Sequence, residues 1–240
     1  MSRAISLSSK QMGVVSHDTD TSVRTDELHG LDWESLSDAE RDVLNAEEFI
    51  IYGKASIEQY DRDSPSQKIR MSAIEESLPQ FFANGGTISR RHKDVQVGEA
   101  LREYELDEPA RLDVDGETIS FDAGDTLRTE VKDDTLWLVA NIFSEETSKR
   151  GSLLSNHTRL AAYHGELDGF SVTVYTREFD RTDSGQDVSD VDFFSVTIGD
   201  DDLIKNRGSE FDVATFKMFE AVQPFREQTR QFMSNRIYNH

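Results

Sequence analysis

The chain has 240 residues and a mass of 27.2 kDa, enough for one large domain or a domain with an appendage. Its 26 Lys and Arg residues against 47 Asp and Glu residues give a net charge of −21. This charge argues against a protein that wraps nucleic acid, because such a protein needs a positive surface to displace counterions. No apolar run is long enough to span a membrane, and the absence of cysteine excludes disulfides, thiolate metal sites and a cysteine nucleophile.

The balance among the charged residue types is itself informative. Asp (26) exceeds Glu (21), and Arg (18) far exceeds Lys (8). Acidic, lysine-poor surfaces are typical of proteins that stay soluble in concentrated salt, where charge repulsion is screened. We therefore expect a salt-adapted (halophilic) host, with a moderately acidic mesophilic protein as the alternative, and we interpret most carboxylates as solvating groups.

Three regions are predicted along the chain. Residues 1–45 are interpreted as a flexible or partner-docked arm, because Ser, Thr and Asp dominate 16–25 and apolar residues are sparse. Within this arm, a helix is expected with Ser37 as its N-cap. Residues 46–209 are predicted to form the globular domain, and residues 210–240 a C-terminal helix with a basic tail.

The globular domain begins with a predicted strand at Glu47–Ile57, which is rich in β-branched and aromatic residues. Apolar residues at helical spacing predict a helix over 67–83, which Asn84-Gly85-Gly86 ends. The later predicted elements are strands at Thr87–His92 and Val95–Tyr104, hairpins over 105–143 with turns at Asp115-Gly116 and Ala123-Gly124-Asp125, an apolar strand at Thr135–Phe143, a helix opened by Ser144–Thr147 that ends near Gly165, strands at Leu167–Phe179 and Val188–Ile198, and a helix from Glu210 that is interrupted near Pro224.

Three stretches of the sequence together indicate chemistry. They are Ile50–Ser56 with the Asp-rich turn and the helix that follow it, His92–Ala100, and Asp168-Gly169-Phe170-Ser171-Val172-Thr173-Val174. This order resembles the prohead (capsid maturation) protease family of tailed viruses, which shares its fold with the herpesvirus assembly proteases. Members have a strand-turn-helix, a strand ending in the catalytic His, a Val-Gly strand just after it, and a later Gly-Phe-Ser strand that carries the nucleophile.

The resemblance covers about residues 49–204, roughly two thirds of the chain. It implies a mainly β fold with helices (α+β), in which a closed or nearly closed β-barrel is surrounded by helices. It also implies that Ser171 is the nucleophile and His92 the general base. A serine hydroxyl becomes an effective nucleophile when a neighbouring imidazole takes its proton, and that imidazole then protonates the leaving amine.

The residues around these two positions suit the roles. Alternation along a strand places Ser171 on the face opposite Phe170 and Val172, where it can reach a cleft. The cationic neighbours of His92 favour the neutral imidazole that a general base requires. The alternatives are an ordinary strand serine and a surface histidine in a basic loop. His157 and His164 are expected to have ordinary helix-surface or packing roles.

The third catalytic residue is sought on a strand after the serine. In the family that strand often reads Glu-hydrophobic-Ser-hydrophobic, and the closest stretch here is Val191–Ile198, in which Phe193 stands at the Glu position. Asp192 is our choice for the orienting acid. Asp192 is one residue before the Glu position, so in a regular strand its side chain would point to the opposite face of the sheet. A β-bulge would turn it back to the face expected for the catalytic acid. Asp190 is the second choice.

The oxyanion stabiliser is left open between backbone N–H groups and the side chains of Arg177 or Arg207. No cofactor and no metal ion are implied, because no phosphate-cradling glycine loop and no metal-ligand spacing is present. The run Asp200-Asp201-Asp202 is interpreted as a solvated acidic loop rather than a metal site.

The expected function is that of a serine endopeptidase in the interior of a viral procapsid, in the host cytoplasm. Its expected partners and substrates are the major capsid protein and the scaffold protein of a tailed virus, and the chain itself. Neither nucleic acid nor a membrane is an expected partner, and a homo-oligomer is possible. One alternative is a catalytically weakened or inactive structural or scaffold-associated head protein with the protease fold. Another is a salt-adapted host binding module unrelated to viruses.

Overall fold

The structure, a computed structural model, describes residues 31–62, 65–90, 95–114, 116–145, 148–200, 204, 206 and 208–214. The described part contains three helices, which are α1 (Asp38–Asn45), α2 (Met71–Ala83) and α3 (Leu153–Tyr163). The strands are β1 (Ile50–Ile57), β2 (Gln67–Ile69), β3 (Thr87–Arg90), β4 (Gln96–Leu101), β5 (Glu103–Glu105), β6 (Ala110–Val114), β7 (Glu117–Phe121), β8 (Thr126–Arg128), β9 (Glu130–Lys132), β10 (Thr135–Ile142), β11 (Gly169–Thr182), β12 (Gly185–Gly199) and β13 (Glu210–Val213).

Nine of these strands form one mixed sheet. Seven follow the order β11-β12-β3-β4-β10-β1-β13, while β2 pairs with β12 and β9 pairs with β10. Strand β12 runs parallel to β2 and β3, and the other pairs of this sheet are antiparallel. Two small sheets, β5-β8 and β6-β7, are separate. The prediction of a mainly β, α+β fold is therefore confirmed.

The two end strands of the large sheet meet near one point. Phe211 N donates a hydrogen bond to Asp168 O at 2.6 Å, just before β11 begins, and Phe170 N donates to Ser209 Oγ at 2.9 Å. The sheet therefore curves until its ends touch. Among the described residues, however, β11 and β13 share no ladder of strand pairing. The sequence analysis predicts a closed or nearly closed barrel. In the described part of the chain the sheets do not close into a barrel, because these contacts lie at the beginning of β11 and do not continue along it.

The main core fills one face of the curved sheet. The large buried side chains there include Phe49, Phe81, Phe170 and Phe193, each at most 1% exposed. A second, smaller cluster lies on the other face of β1 and β10, where the two small sheets cover it. Burial of this much apolar surface is the dominant favourable contribution to folding.

Helix α1 belongs to this packed structure. The predicted cap at Ser37 is confirmed as a capping box, in which Ser37 Oγ accepts from Glu40 N and the Glu40 carboxylate accepts from Ser37 N. Val43 and Leu44 are fully buried in the main core. The division of the chain at residue 45 stays a prediction, and residues 1–30 lie outside the described part.

Three helix predictions are wrong in their bounds or type. The helix expected over 67–83 begins only at Met71, because Gln67–Ile69 pair with β12 as strand β2. The helix expected from Ser144 begins only at Leu153, with Ser152 as its N-cap. The helix expected from Glu210 does not begin there, because Glu210–Val213 pair with β1 as strand β13. A Cβ on Gly53 would lie 2.2 Å from Glu210 O, so this glycine permits the close approach of β13. The predicted C-terminal helix and basic tail otherwise lie outside the described residues.

Candidate functional site

Ser171 is the third residue of β11, and its side chain is half-buried. Phe170 is fully buried in the main core and Val172 packs against that core. Because successive side chains of a strand point to opposite faces, Ser171 faces away from the core. The structure thus places its hydroxyl on the more polar face of the sheet.

A row of hydroxyl groups crosses three neighbouring strands at this level. Ser171 pairs with Thr197 on β12, and Thr197 pairs with Ser89 on β3. Ser89 Oγ and Thr197 Oγ1 are 3.0 Å apart, and both residues are buried. Since adjacent strands lie about 4.8 Å apart, Ser171 and Ser89 are separated by roughly 10 Å. Neither Ser89 nor Thr197 was predicted from the sequence. The alternation of polar and apolar residues in Ser195-Val196-Thr197-Ile198 does indicate that Thr197 lies on the face opposite Val196 and Ile198.

His92, the expected general base, lies outside the described residues. The strand that leads to it is described: β3 ends at Arg90, which pairs with Ile198, and Ile198 pairs with Phe170. The chain therefore leaves β3 at the end of the sheet where β11 begins. A hydroxyl is not a base at neutral pH. Thr197 and Ser89 therefore cannot take the proton of Ser171, and its activation as a nucleophile needs another residue.

Asp192 is placed by an irregularity in the pairing of β11 with β12. The register shifts between Thr173 and Val174, because Thr173 pairs with Ser195 but Val174 pairs with Phe193. The extra residue in β12 brings Asp192 opposite Tyr175 and onto the face of Ser171, as a β-bulge does. Tyr175 lies four residues from Ser171, which corresponds to about 13 Å along a strand. The structure does not bring Ser171 and Asp192 together.

The carboxylate of Asp192 is engaged by Arg177. Arg177 Nε donates to Asp192 Oδ2 at 2.9 Å, and Arg177 Nη2 donates to Asp192 Oδ1 at 2.5 Å. This two-point hydrogen bond holds the pKa of Arg177 above its usual value, with Asp190 contributing a smaller electrostatic effect. Arg177 is six residues from Ser171, roughly 20 Å along β11, so it is not placed to stabilise an oxyanion there.

Phe193 occupies the position at which the family resemblance expects a glutamate. It is 1% exposed, and its ring stacks on Phe81 of α2 with centroids 4.2 Å apart and planes 9° apart. Its backbone N–H donates to Ser77 Oγ at 2.7 Å. This position is therefore a packing position in the core.

The other sequence-predicted residues lie away from Ser171 or outside the described part. Asp190 pairs with Glu178, whereas Asp192 pairs with Tyr175. Asp190 is therefore even farther from Ser171 than Asp192 is. His164 is the C-cap residue of α3, and its Nε2 lies 3.0 Å from Glu40 Oε1 of α1, which agrees with the expected packing role. Arg207, Asp201 and Asp202 are not among the described residues. Among the described residues, no cluster of three or more potential metal ligands is found.

Ser209 is a positioning residue that the sequence analysis missed. Its Oγ accepts from Phe170 N at 2.9 Å and lies 2.6 Å from Phe170 O and 3.0 Å from Lys54 O. These contacts fix the beginning of β11, one residue before Ser171, against β1. A serine in a loop between predicted elements carries no local signal for this role, because its partners are distant in the sequence.

Comparison with protein-family models, curated proteins and solved structures gave no match to the chain. In the described part of the chain, no helix is long and apolar enough to cross a membrane.

Proposed function

We propose that the chain is a serine endopeptidase of the prohead protease type, with Ser171 as nucleophile and His92 as general base. The observation that carries the proposal is the order β11-β12-β3, in which the strand of Ser171 and the strand that leads to His92 flank a common neighbour. The half-buried Ser171 hydroxyl lies near the end of the sheet at which β3 stops. A histidine two residues after Arg90 is within chain reach of that end of the sheet.

In this mechanism the imidazole of His92 removes the proton from the Ser171 hydroxyl as its oxygen attacks the scissile carbonyl carbon. The same imidazole then delivers the proton to the leaving amine, and water hydrolyses the acyl-enzyme by the reverse sequence of proton transfers. In the structure, both carboxylate oxygens of Asp192 accept hydrogen bonds from Arg177. Orientation of His92 by Asp192 would therefore require that ion pair to open and the roughly 13 Å along β11 between the levels of Ser171 and Asp192 to be bridged.

The proposal includes the setting that the resemblance implies. The enzyme acts inside the immature capsid of a tailed virus in the host cytoplasm. It cleaves segments of the scaffold and major capsid proteins and its own chain, and the overall architecture is the herpesvirus/prohead protease type.

A fluorophosphonate probe tests the proposal without knowledge of the cleavage site. Attack by an activated serine forms a bond between its oxygen and phosphorus, and fluoride leaves. The full chain should gain one label, mapped by mass spectrometry to the peptide that contains Ser171. Ser171→Ala should abolish labelling, and His92→Ala should slow it by about a thousandfold or more.

Thr173→Ala is the matched control, because Thr173 lies two residues along the same face of β11. This variant should be labelled at the rate of the wild-type chain. A wild-type chain that resists the probe, or a label on another residue, would overturn the assignment of Ser171.

The second candidate function is a catalytically inactive head protein with the protease fold. Two observations favour it. Position 193, where the family has a glutamate, holds a phenylalanine that is buried against Phe81. The carboxylate of Asp192 is hydrogen-bonded to Arg177 and is therefore not available to His92. This candidate predicts no fluorophosphonate labelling. It also predicts that a virus carrying Ser171→Ala matures its heads normally.

A further inference from the structure

Two exposed aromatic side chains form a small surface on the β11–β12 hairpin, which we call the aromatic pair. Tyr175 is 58% exposed and Phe194 is 51% exposed. Their ring centroids are 5.4 Å apart, with an angle of 67° between the planes, an edge-to-face arrangement. Two half-exposed rings in contact leave ring faces and edges on which a further aromatic side chain can pack.

The surroundings of the aromatic pair are open and acidic. Strand β11 stands at the end of the sheet order and, from Ser171 onward, pairs only with β12 within the described part of the chain. All residues from 175 to 182 are exposed. The neighbouring carboxylates are those of Glu178 and Asp190, which pair with each other across the two strands. Arg177 is the cation already present here, but its guanidinium is hydrogen-bonded to Asp192, opposite Tyr175, and it acts on Asp190 only by a smaller electrostatic effect. Because like charges placed opposite each other on a sheet repel, a further bound cation would be favourable beside Glu178 and Asp190.

The chemistry that fits this surface is found in residues 215–240 of the same chain. Four cationic side chains against two glutamates give this segment a net charge of +2 in a chain whose net charge is −21. The segment also contains four phenylalanines. Its cations are Lys217, Arg226, Arg230 and Arg236, and its phenylalanines are Phe216, Phe219, Phe225 and Phe232.

The described chain ends where this segment can reach the aromatic pair. Phe211 N donates to Asp168 O at 2.6 Å, so β13 passes the beginning of β11 shortly before Ala214. Tyr175 is seven residues beyond Asp168, roughly 23 Å along the strand. A segment of 26 residues spans up to about 85 Å when extended, so the connection within one molecule is long enough.

We propose that residues 215–240 dock intramolecularly on the aromatic pair. Phenylalanine side chains of the segment pack on the rings of Tyr175 and Phe194. Arginine side chains lie over the ring faces and against the carboxylates of Glu178 and Asp190. The docking does not depend on the protease proposal, because neither Ser171 nor His92 takes part in it.

A photo-crosslinking experiment on the full chain tests this docking. Tyr175 is replaced by p-benzoylphenylalanine, a photoreactive phenylalanine analogue, and the protein is irradiated at low concentration. Cross-linked peptides identified by mass spectrometry should join position 175 to residues 215–240 within the monomer. The triple variant Arg226→Glu, Arg230→Glu, Arg236→Glu should lower the yield about fivefold or more.

Phe179 supplies the control position. It lies on the same hairpin and is 43% exposed, but it pairs with the buried Val188 and so lies on the opposite face from Tyr175. The same photoreactive residue at position 179 should give little cross-linking to 215–240. Cross-links from position 175 only to a second molecule, or to other segments, would overturn the proposal, as would equal yields from both positions.

Discussion

Arg159 donates hydrogen bonds from Nε and Nη2 to the carbonyl oxygen of Ile142, at 2.9 and 2.7 Å. Its Nη1 donates to Val43 O at 2.8 Å and to Ala46 O at 2.9 Å. The guanidinium is fully buried. One side chain of α3 thereby satisfies carbonyl groups at the end of β10 and at the C-terminal end of α1, where helical carbonyls lack partners within the helix. This joins α1 to the rest of the structure.

We expect Arg159→Met to reduce the free energy of unfolding by about 3 kcal/mol or more, because it leaves several buried carbonyls without these donors. Urea unfolding of the two full-length proteins measures the difference. Arg177→Met is the control, since Arg177 is an exposed arginine that also makes two hydrogen bonds, and its effect should be much smaller. Equal losses in the two variants would contradict the role assigned to Arg159.

Glu40 should make the stability depend on pH. Burial alone would raise its pKa, but hydrogen bonds with Ser37 and His164 outweigh burial and lower the pKa below its usual value. A lowered pKa in the folded state means that the ionised form stabilises the fold. This contribution is complete above the unfolded-state value of about 4.3 and is lost as pH falls through the folded-state value.

Glu40→Gln is therefore expected to lower the Tm at pH 7, and its difference from the wild-type chain should shrink as the pH falls towards about 3. Thermal unfolding followed by circular dichroism across this range measures the difference. Glu76→Gln, at an exposed position of α2, is the control and should change the Tm little. A constant difference between Glu40→Gln and wild type at all pH values would show that the carboxylate charge is not responsible.

The adjacent residues Phe193 and Phe194 should respond in opposite ways to the same substitution. Phe193→Glu would bury a carboxylate against Phe81 and is expected to prevent folding, because an unpaired buried charge is very unfavourable. Phe194→Glu, at a 51% exposed position, should fold with a Tm near that of the wild type. Soluble yield and circular dichroism measure both outcomes.

The milder variant Phe193→Ala is expected to cost about 3 to 5 kcal/mol, since it removes a stacked core ring. A folded Phe193→Glu variant with increased proteolytic activity would instead show that this position accepts a catalytic glutamate. That result would contradict the packing role described above.

The net charge of −21 predicts that salt stabilises the fold. As ionic strength rises from about 0.1 M to 1 M, the Debye length falls from roughly 10 Å to 3 Å, and repulsion among surface carboxylates is screened. The Tm of the full chain should therefore rise across a potassium chloride series. Sucrose at matched osmolality is the control, because it acts by exclusion from the surface without screening charge. A flat or falling Tm in potassium chloride would argue against salt adaptation.

Much of the secondary structure follows from local sequence patterns. The apolar run at Thr135–Phe143 becomes β10, Gly116 of a predicted turn lies between β6 and β7 with a φ of 74°, and α2 ends immediately before Asn84-Gly85-Gly86. Ser37 caps α1 as expected. Each of these features depends on residues within a few positions of one another, so periodicity, capping and turn chemistry are sufficient to predict them.

The tertiary structure decided what depends on residues distant in the sequence. Phe211 and its neighbours fit a helical apolar pattern, yet pairing with Gly53 and the rest of β1 makes Glu210–Val213 a strand. The register shift at Phe194 turns Asp192 towards the face of Ser171 while Phe193 remains in the core, and only the β11–β12 pairing fixes that shift. The row of hydroxyls from Ser171 to Ser89 likewise depends on β12 lying between two strands that are about 80 residues apart in the chain. Sequence alternation gives the face of each side chain within its own strand, but the neighbours across the sheet are set by long-range hydrogen bonding and burial.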